Sequence, residues 1–344
     1  MKVLQQRIKD FLGGGLLALL LVAGPGFLPT PLAPAVQAAD RIVVREAAAT
    51  ITGEFVGPWP AEGRRAFERA ARLLARHLDA PVTITVVAEW APLDEGILGR
   101  GGPAGQYANF DGAAQSDTYY PAALANQLAG DRLEPGPDIE TGFNSAETWY
   151  FGDDARPPAG QSHFASTVIH EILHGMGFLG TFYVDAEGLG TWGDDDGELS
   201  PIWRAVRPAP HRHVHRHPAR LLSQEGPYPD IYDRFVVNGR RQRLLDASRF
   251  PRGTEDLADE LQSEDLYWDG AAGIAANGGP VKLFAPEVWV DGSSFSHLDD
   301  DTYDGTANAI MTAGGERLPG AEPGPVILGM LADMGWRISR LPPG

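Results

Sequence analysis

The segment HEILHGMGF, residues 170–178, constrains the fold more than any other part of the chain. His170 and His174 stand four residues apart, and a helix places side chains at this spacing on one face, where both imidazoles can bind one metal ion. Glu171 is turned so that its carboxylate reaches a water molecule beside the metal, as a general base requires. The segment therefore predicts a helix with a zinc site, in which His170 and His174 are ligands and Glu171 is the base.

The residues around this motif favour the same helix. Between Gln161 and Leu179 apolar residues recur at three- and four-residue steps, and glycines then end the pattern. The apolar positions are Val168, Ile169, Ile172, Leu173 and Met176. With 9 histidines in 344 residues, a chance H-E-x-x-H is expected in on the order of one such chain in a hundred.

The composition narrows the chemistry that the chain can carry. It contains no cysteine, which excludes disulfides, thiolate metal sites and a cysteine nucleophile, so any metal must be held by histidine and carboxylate. Asp and Glu number 46 against 28 Lys and Arg, for a net charge of −18. Because phosphate groups would be repelled, this charge argues against nucleic acid and anionic membranes as partners.

Two histidines do not complete a catalytic zinc site, which normally has three protein ligands and one open position. In compact metzincins the third ligand is the last histidine of H-E-x-x-H-x-x-G-x-x-H. Gly177 occupies the glycine position of that pattern, but Gly180 stands where the third histidine would be. The third ligand must therefore come from another part of the chain.

Four other segments supply candidates for the third ligand. His297 is favoured, because it lies 14 residues before Met311, and a methionine after a third histidine is the arrangement that places a methionine turn beneath a metal site. Asp194, in the sequence GTWGD, resembles the Gly-Thr-Asp element of the aspzincins. Glu198 has the spacing of a gluzincin ligand, but it lies among Gly and Asp without the helix that such a ligand needs. The run from His211 to His217 alternates with arginine, which favours a solvated loop.

Other polar residues are weaker candidates. The acidic runs Asp194–Asp196 and Asp299–Asp301 are candidate Ca²⁺ sites, because clustered carboxylates suit this hard cation. Neither follows the spacing of the twelve-residue calcium loop, and acidic surface loops are more common. Asp299 is also a candidate acceptor for the second nitrogen of a ligand imidazole. Tyr303, between the third histidine and the methionine, is a candidate for holding a tetrahedral oxyanion.

The rest of the chain indicates a layered α/β fold. Residues 61–78 form an amphipathic pattern that ends before Pro81, and a β-branched strand follows over 82–87. A helix that leads directly into a strand is typical of this class. Shorter helices are predicted over 119–128 and 326–334, whereas residues 91–115 show no periodic pattern.

The N-terminus is typical of a secretory signal. Lys2, Arg7 and Lys9 precede a short apolar run, and small residues follow near position 38. We predict a signal peptide over 1–38, an N-terminal catalytic subdomain over 39–180, a long loop-rich insertion over 181–292, and a C-terminal subdomain over 293–344 that holds the third ligand and the methionine turn. The mature protein is expected to be secreted or periplasmic, without membrane insertion, because no later stretch reaches the ~20 apolar residues of a membrane span.

Three segments, HEILHGMGF, SHLDDDTYDGTANAIMTAGG and LADMGW, resemble metzincin-type zinc proteases of the leishmanolysin-like arrangement. In that arrangement a long insertion separates the glycine after the helix from the third histidine, which precedes the methionine turn. YYPAALANQLAG, FNSAETWYFG and FAPEVWVDGSSFSHLD also resemble secreted bacterial metalloproteases of this layout, so the resemblance spans about residues 50–337. It implies zinc bound by His170, His174 and His297, with Glu171 as base and Met311 in the turn.

The sequence and the resemblance together predict an α/β, zincin-like fold. It would have a twisted mixed sheet, a backing helix over 61–78, an active-site helix over 164–178 and an irregular C-terminal part. The expected function is a secreted Zn²⁺-dependent endopeptidase acting on protein or peptide substrates. The alternative is a secreted, non-catalytic binding or surface protein on the same scaffold. Glu171 favours the enzyme, because a purely structural zinc site has no use for that carboxylate.

Overall fold

The computed structural model describes residues 41–46, 48–154, 156–193, 227–314 and 320–339. All of these residues belong to one compact unit, which begins at Ala38. The strands in these ranges are β1 (Arg41–Glu46), β2 (Ala49–Val56), β3 (Ile84–Ala91), β4 (Gly99–Pro103), β5 (Gln106–Tyr107), β6 (Tyr120–Pro121), β7 (Ile139–Asn144), β8 (Trp149–Tyr150), β9 (Ser162–His163), β10 (Tyr183–Val184), β11 (Gly190–Thr191), β12 (Val236–Asn238), β13 (Leu266–Trp268) and β14 (Val281–Lys282). The α-helices are α1 (Ala61–Ala75), α2 (Ala122–Ala129), α3 (Phe164–Gly175), α4 (Glu255–Leu261), α5 (Ala271–Asn277), α6 (Asp300–Tyr303) and α7 (Pro325–Met334). None of the helices in the described ranges is long and apolar enough to cross a membrane.

Five strands form the main sheet, in the spatial order β1–β2–β3–β7–β4. β2, β3 and β7 are parallel to one another, whereas β1 and β4 pair antiparallel at the two edges. Parallel neighbours need a crossover connection, and α1 provides it between β2 and β3. The predicted α/β class with a mixed sheet is confirmed.

One face of the sheet is apolar and is covered by helices. Along β3, Ile84, Val86, Ala88 and Trp90 are buried, while the residues between them are half-buried on the other face. This alternation follows from the two-residue period of a strand. The helix predicted over 61–78 is α1, which ends at Ala75 and buries Phe67, Ala71 and Leu74 against this core.

Aromatic rings anchor the start of α3. Phe164, its first residue, packs against Trp59 and Phe143 with ring centroids 5.9 and 5.1 Å apart, and Phe67 lies 6.2 Å from Phe143. These rings meet at steep angles, an arrangement that aromatic pairs favour. The start of the helix that carries the H-E-x-x-H motif is therefore fixed to the core of the sheet.

The prediction of an irregular region from 91 to 115 is wrong at β4. This strand has the sequence GRGGP, without the β-branched residues that indicate a strand. It pairs with β7 from Gly99↔Phe143 to Pro103↔Ile139, so backbone pairing forms it. A Cβ atom on Gly101 would lie 2.2 Å from the backbone oxygen of Glu171, and only glycine therefore allows β4 to approach α3 so closely.

Short elements fill the C-terminal part of the described chain. β12, β13 and β14 form an antiparallel three-stranded sheet, and α5 packs against α7. Asp333 of α7 accepts hydrogen bonds from Trp268 Nε1 and from the backbone N–H groups of Ala272 and Gly273, at 3.0, 2.7 and 2.9 Å. One carboxylate thus joins α7 to the first turn of α5 and to β13.

Candidate metal centre

α3 places two imidazoles on one face. His170 and His174 lie one helical turn apart, and their Nε2 atoms are 3.0 Å from each other. The active-site helix predicted over 164–178, within the pattern of residues 161–179, is observed from Phe164 to Gly175. Both side chains line the same cavity, so the helical spacing read from the sequence brings the two rings together as expected.

His297 approaches the pair from a distant part of the chain. Its Nε2 atom lies 3.1 Å from Nε2 of His170, and its ring is 4% exposed. A ladder of backbone hydrogen bonds places it, because Phe284 N donates to His297 O and Leu298 N donates to Met311 O. The ligand atoms of His170, His174 and His297 all lie within 4.8 Å of one another, which is the spacing of a group that could hold a metal ion.

Each imidazole donates its Nδ1 hydrogen to a backbone carbonyl. The pairs are His170 with Ile310 O at 2.6 Å, His174 with Phe178 O at 2.7 Å, and His297 with Ser293 O at 2.9 Å. A carbonyl oxygen only accepts, so Nδ1 carries the hydrogen in each neutral ring and Nε2 is left with a lone pair. These second partners orient the rings so that all three Nε2 atoms face one point.

The electrostatics of the cluster favour a cation. Burial lowers the pKa of His170, burial and the two neighbouring imidazoles lower the pKa of His174 well below its usual value, and the pKa of His297 falls to about 3 through burial and the nearby His170. The rings are therefore neutral at pH 7, and three converging lone pairs repel one another unless a positive ion lies between them. Three imidazole nitrogens are a donor set that suits zinc and other divalent transition metals.

Glu171 lies beside the three histidines and lines the same cavity. It is 6% exposed, and burial raises its pKa to about 8. A cation held by the imidazoles would lower this pKa, because a nearby positive charge favours the carboxylate. A Cβ atom on Gly99 would lie 2.8 Å from Glu171 Oε1, so β4 forms the surface on which this carboxyl group rests.

The cluster opens into a cavity of about 490 Å³. One wall of the cavity consists of Leu93, Asp94 and residues 96–101. α3 forms the floor, and residues 291–293 and 312–314 form the other walls. Of the charged residues on the walls, Arg100 is neutralised by Glu89, with Nη2 2.7 Å from Oε2, whereas Asp94 and Asp291 are exposed. The described mouth of the cavity is therefore acidic, which disfavours anionic ligands.

Gly180 occupies the position at which the pattern H-E-x-x-H-x-x-G-x-x-H has its third histidine, and it lies against buried groups. A Cβ atom at this position would lie 2.1 Å from Asp233 Oδ1 and 2.6 Å from Cε2 of Phe295. Asp233 is buried and is held in place by the N–H and hydroxyl groups of Thr181, at 3.0 and 2.6 Å. No side chain fits at position 180, so a histidine there would have to displace this buried group.

Two of the weaker predictions for side chains near His297 are wrong. Asp299 does not accept from a ligand imidazole; it caps α6, where its Oδ1 accepts from Thr302 N at 3.0 Å, and its Oδ2 pairs with Lys282 at 3.5 Å. Tyr303 is buried, does not line the cavity, and donates its hydroxyl to Asn277 at 3.0 Å, so it is not placed to hold an oxyanion.

The remaining predicted positions have different outcomes. Met311 is fully buried in a short 3-10 turn, Ala309–Met311, whose Ile310 carbonyl orients His170. Asp194, Glu198 and the run from His211 to His217 lie outside the described residues. Among the residues that the structure does describe, the three histidines are the one group whose spacing could hold a metal ion, and the run 299–301 does not form a second.

The wall of the cavity was not predicted as part of the site. Residues 93–98 lie in a loop, as expected, but residues 99–101 belong to the edge strand β4, and both segments line the cavity of the histidines. The available signal was the glycine-rich sequence GRGG at 99–102, because glycine in a strand often marks a close approach of another backbone.

The profile of a family described as SPBPB7E8-like matches residues 88–196, a range that includes β4, β7 and α3. No match was found among curated proteins or among solved structures.

Proposed function

We propose that this protein is a secreted, zinc-dependent endopeptidase of the metzincin type, with the leishmanolysin-like order of ligands. The observation that carries the proposal is the convergence of His170, His174 and His297 beside the buried Glu171, at the floor of an open cavity. The basic, apolar and small-residue order of the N-terminus supports secretion. The matching family profile includes the motif helix.

The roles of the chain's own residues follow from this arrangement. The three imidazoles would hold the zinc ion, which when bound supplies a Lewis acid that polarises a scissile carbonyl and lowers the pKa of water. Glu171 takes a proton from the attacking water on Oε1 or Oε2 and later delivers it to the leaving nitrogen. The imidazole hydrogens stay on Nδ1 because each one bonds to a backbone carbonyl, that of Ile310, Phe178 or Ser293. Each Nε2 therefore keeps a lone pair that can bind the metal.

The cavity wall supports a peptide as the substrate. β4 is the terminal strand of the main sheet, and its residues 99–101 line the cavity. An extended peptide is the class of ligand that binds a sheet edge through backbone hydrogen bonds. The acidic mouth, with Asp94 and Asp291, favours neutral or basic peptides over acidic ones.

Replacement of Glu171 by glutamine tests the proposal. The amide keeps the size of the side chain but cannot accept the proton, so we expect E171Q to lower kcat by about 100- to 10,000-fold while zinc content stays at the wild-type level. Hydrolysis is measured with fluorescein-labelled casein and a mixed set of internally quenched peptides, and zinc by elemental analysis. E62Q, a change of an exposed residue in the first turn of α1, is the matched control.

Two results would contradict the proposal in different ways. Wild-type hydrolysis by E171Q would remove Glu171 from the mechanism. If the wild-type protein retains zinc but cleaves neither casein nor any peptide of the set, the endopeptidase hypothesis fails. The alternative, a non-catalytic binding protein on the same scaffold, then takes its place.

A further inference from the structure

The wall of the cavity includes a loop that has an unusual path in the sheet. Residues 92–98, here called the wall loop, join β3 to β4, and β7 lies between these two strands. The loop therefore crosses the end of β7, where Ala91 pairs with Asn144 and Gly99 pairs with Phe143. Asn144, the last residue of β7, lies beneath the crossing.

The Asn144 side chain connects both ends of the wall loop. Its Oδ1 accepts from Leu93 N at 3.1 Å, and its Nδ2 donates to Ile97 O at 2.8 Å. Its backbone N–H donates to Leu98 O at 3.0 Å. Oδ1 also accepts from Ala146 N at 3.0 Å, which fixes the orientation of the amide. Asn144 is 4% exposed, so its amide is shielded from water and would be costly to leave unpaired.

The wall loop has little else to hold its outer residues. Residues 94–98 are exposed, and a turn closed by Ile97 N and Asp94 O, 3.1 Å apart, forms its tip. Leu93, Asp94 and residues 96–98 nevertheless line the cavity. Ile97 is 47% and Leu98 37% exposed, so two apolar side chains line the cavity with part of their surface open to a ligand.

We propose that Asn144 is a positioning residue for substrate binding: it fixes the wall loop so that Ile97 and Leu98 present a rigid apolar surface to the peptide. This inference rests on the proposed peptidase function. Asn144 does not line the cavity, so it acts through the loop. A loop that is already ordered loses less conformational entropy when the substrate binds.

The side chain at this position must both accept and donate. Aspartate keeps the acceptor for Leu93 N and Ala146 N but places an oxygen against Ile97 O, and alanine loses all three side-chain bonds. N144A therefore removes the side-chain bonds at Leu93 and at Ile97, whereas N144D removes only the bond at Ile97. The backbone bond to Leu98 O remains in both variants. The two variants differ in a way that a general loss of stability would not reproduce.

Asn126 offers a matched control elsewhere in the chain. It is 2% exposed, its Nδ2 donates to Asp138 Oδ1 at 2.8 Å, and its Oδ1 accepts from Leu133 N at 2.8 Å. It thus holds a different loop by the same kinds of bond, and residues 126–138 do not line the cavity. N126A reports the effect of losing a buried asparagine without touching the wall loop.

The experiment compares the wild-type protein with N144A, N144D and N126A. Steady-state kinetics use the best-cleaved peptide of the internally quenched set, and hydrogen–deuterium exchange reports the amides of residues 93–98, since residue 92 is a proline. We expect N144A to raise KM about tenfold with kcat within about twofold of wild type, because α3 and its side chains are unchanged. Exchange in the wall loop should become at least about tenfold faster. N144D should raise KM less and speed exchange mainly at residues 96–98, and N126A should match wild type in both measurements.

The outcomes separate this inference from the proposed function. Equal KM values and equal wall-loop exchange in N144A and N126A would overturn the role of Asn144 while leaving the peptidase intact. A fall in kcat without a change in KM would also overturn it, since Asn144 would then act on the catalytic groups and not on binding. If the wild-type protein cleaves no peptide, the proposed function fails and this inference fails with it.

Discussion

The contact between β4 and α3 leads to a sharp prediction for Gly101. A Cβ atom on this residue would lie 2.2 Å from the Glu171 backbone oxygen and 2.7 Å from its carbonyl carbon and Cα. Nonbonded contacts with a methyl carbon need at least about 3 Å, so in G101A the strand and the helix must separate by roughly 1 Å. Overpacking of this kind costs about 1–3 kcal/mol, which lowers Tm by roughly 2–6 °C in a chain of this size.

The same displacement moves the proposed general base. A misplacement of about 1 Å can reduce catalysis about 100-fold, so we expect G101A to lose activity by this factor with its zinc content retained. Gly105 gives the matched control, because a Cβ atom there would meet nothing within 4 Å. Gly99 gives an intermediate case, in which the nearest atom is Glu171 Oε1 at 2.8 Å. That carboxyl group can rotate away, so G99A should retain the wild-type Tm but lose activity.

The assays are differential scanning calorimetry for Tm, elemental analysis for zinc, and hydrolysis of the quenched peptides. The loss of activity should increase in the order G105A, G99A, G101A, with a fall in Tm only for G101A. A G101A protein with the Tm and activity of G105A would refute the close contact between the edge strand and the helix. A fall in Tm without a fall in activity would instead refute the catalytic position of Glu171.

Two further predictions concern the metal and the C-terminal helices. By elemental analysis, wild-type protein should hold about one zinc ion per chain and H297A far less; equal zinc retention by H297A would move the third-ligand role elsewhere. Removal of the metal by chelation should lower the wild-type Tm, since a ligand at 100 times its Kd contributes about 2.7 kcal/mol to stability. D333A should lower the free energy of unfolding by about 3 kcal/mol in urea titrations, because three donors lose their acceptor. D333N keeps one acceptor oxygen, so its free energy of unfolding should fall less. A wild-type free energy of unfolding in D333A would show that other contacts hold α7 and α5 together.

The helices near the site could be predicted from the sequence because their apolar residues follow the helical period. α1 and α3 were expected over 61–78 and 164–178 and are observed at Ala61–Ala75 and Phe164–Gly175. Both helices begin where they were expected, and both end three residues earlier (75 against 78, 175 against 178). After α1, Leu78 bridges to Ile338, and after α3, Gly177 has a φ of 111°. Periodicity reports which residues face a core, but the path of the chain after the last turn decides where a helix ends.

β4 and the wall loop could not be predicted because their residues show no strand pattern, and the glycines of GRGG indicate a close approach without naming its partner. The strand GRGGP forms through backbone pairing with β7, which follows it by some forty residues in the chain. Its glycines are required by the neighbouring helix and not by the strand. The wall loop in turn depends on Asn144, whose side chain reaches back to Leu93 and Ile97. Each of these features is a contact between distant segments.

The position of the third imidazole shows the same dependence on long-range pairing. The turn that carries Ile310 O, the acceptor for His170 Nδ1, is hydrogen bonded to the segment of His297 through Leu298 N and Met311 O. One ladder therefore sets both the third ring and the partner that orients the first. At Gly180, where a compact site would place its histidine, Asp233 and Phe295 leave no room for a side chain. A side chain at position 180 would need space that Asp233 and Phe295 already fill, whereas the ladder of backbone hydrogen bonds brings His297 to within 3.1 Å of His170.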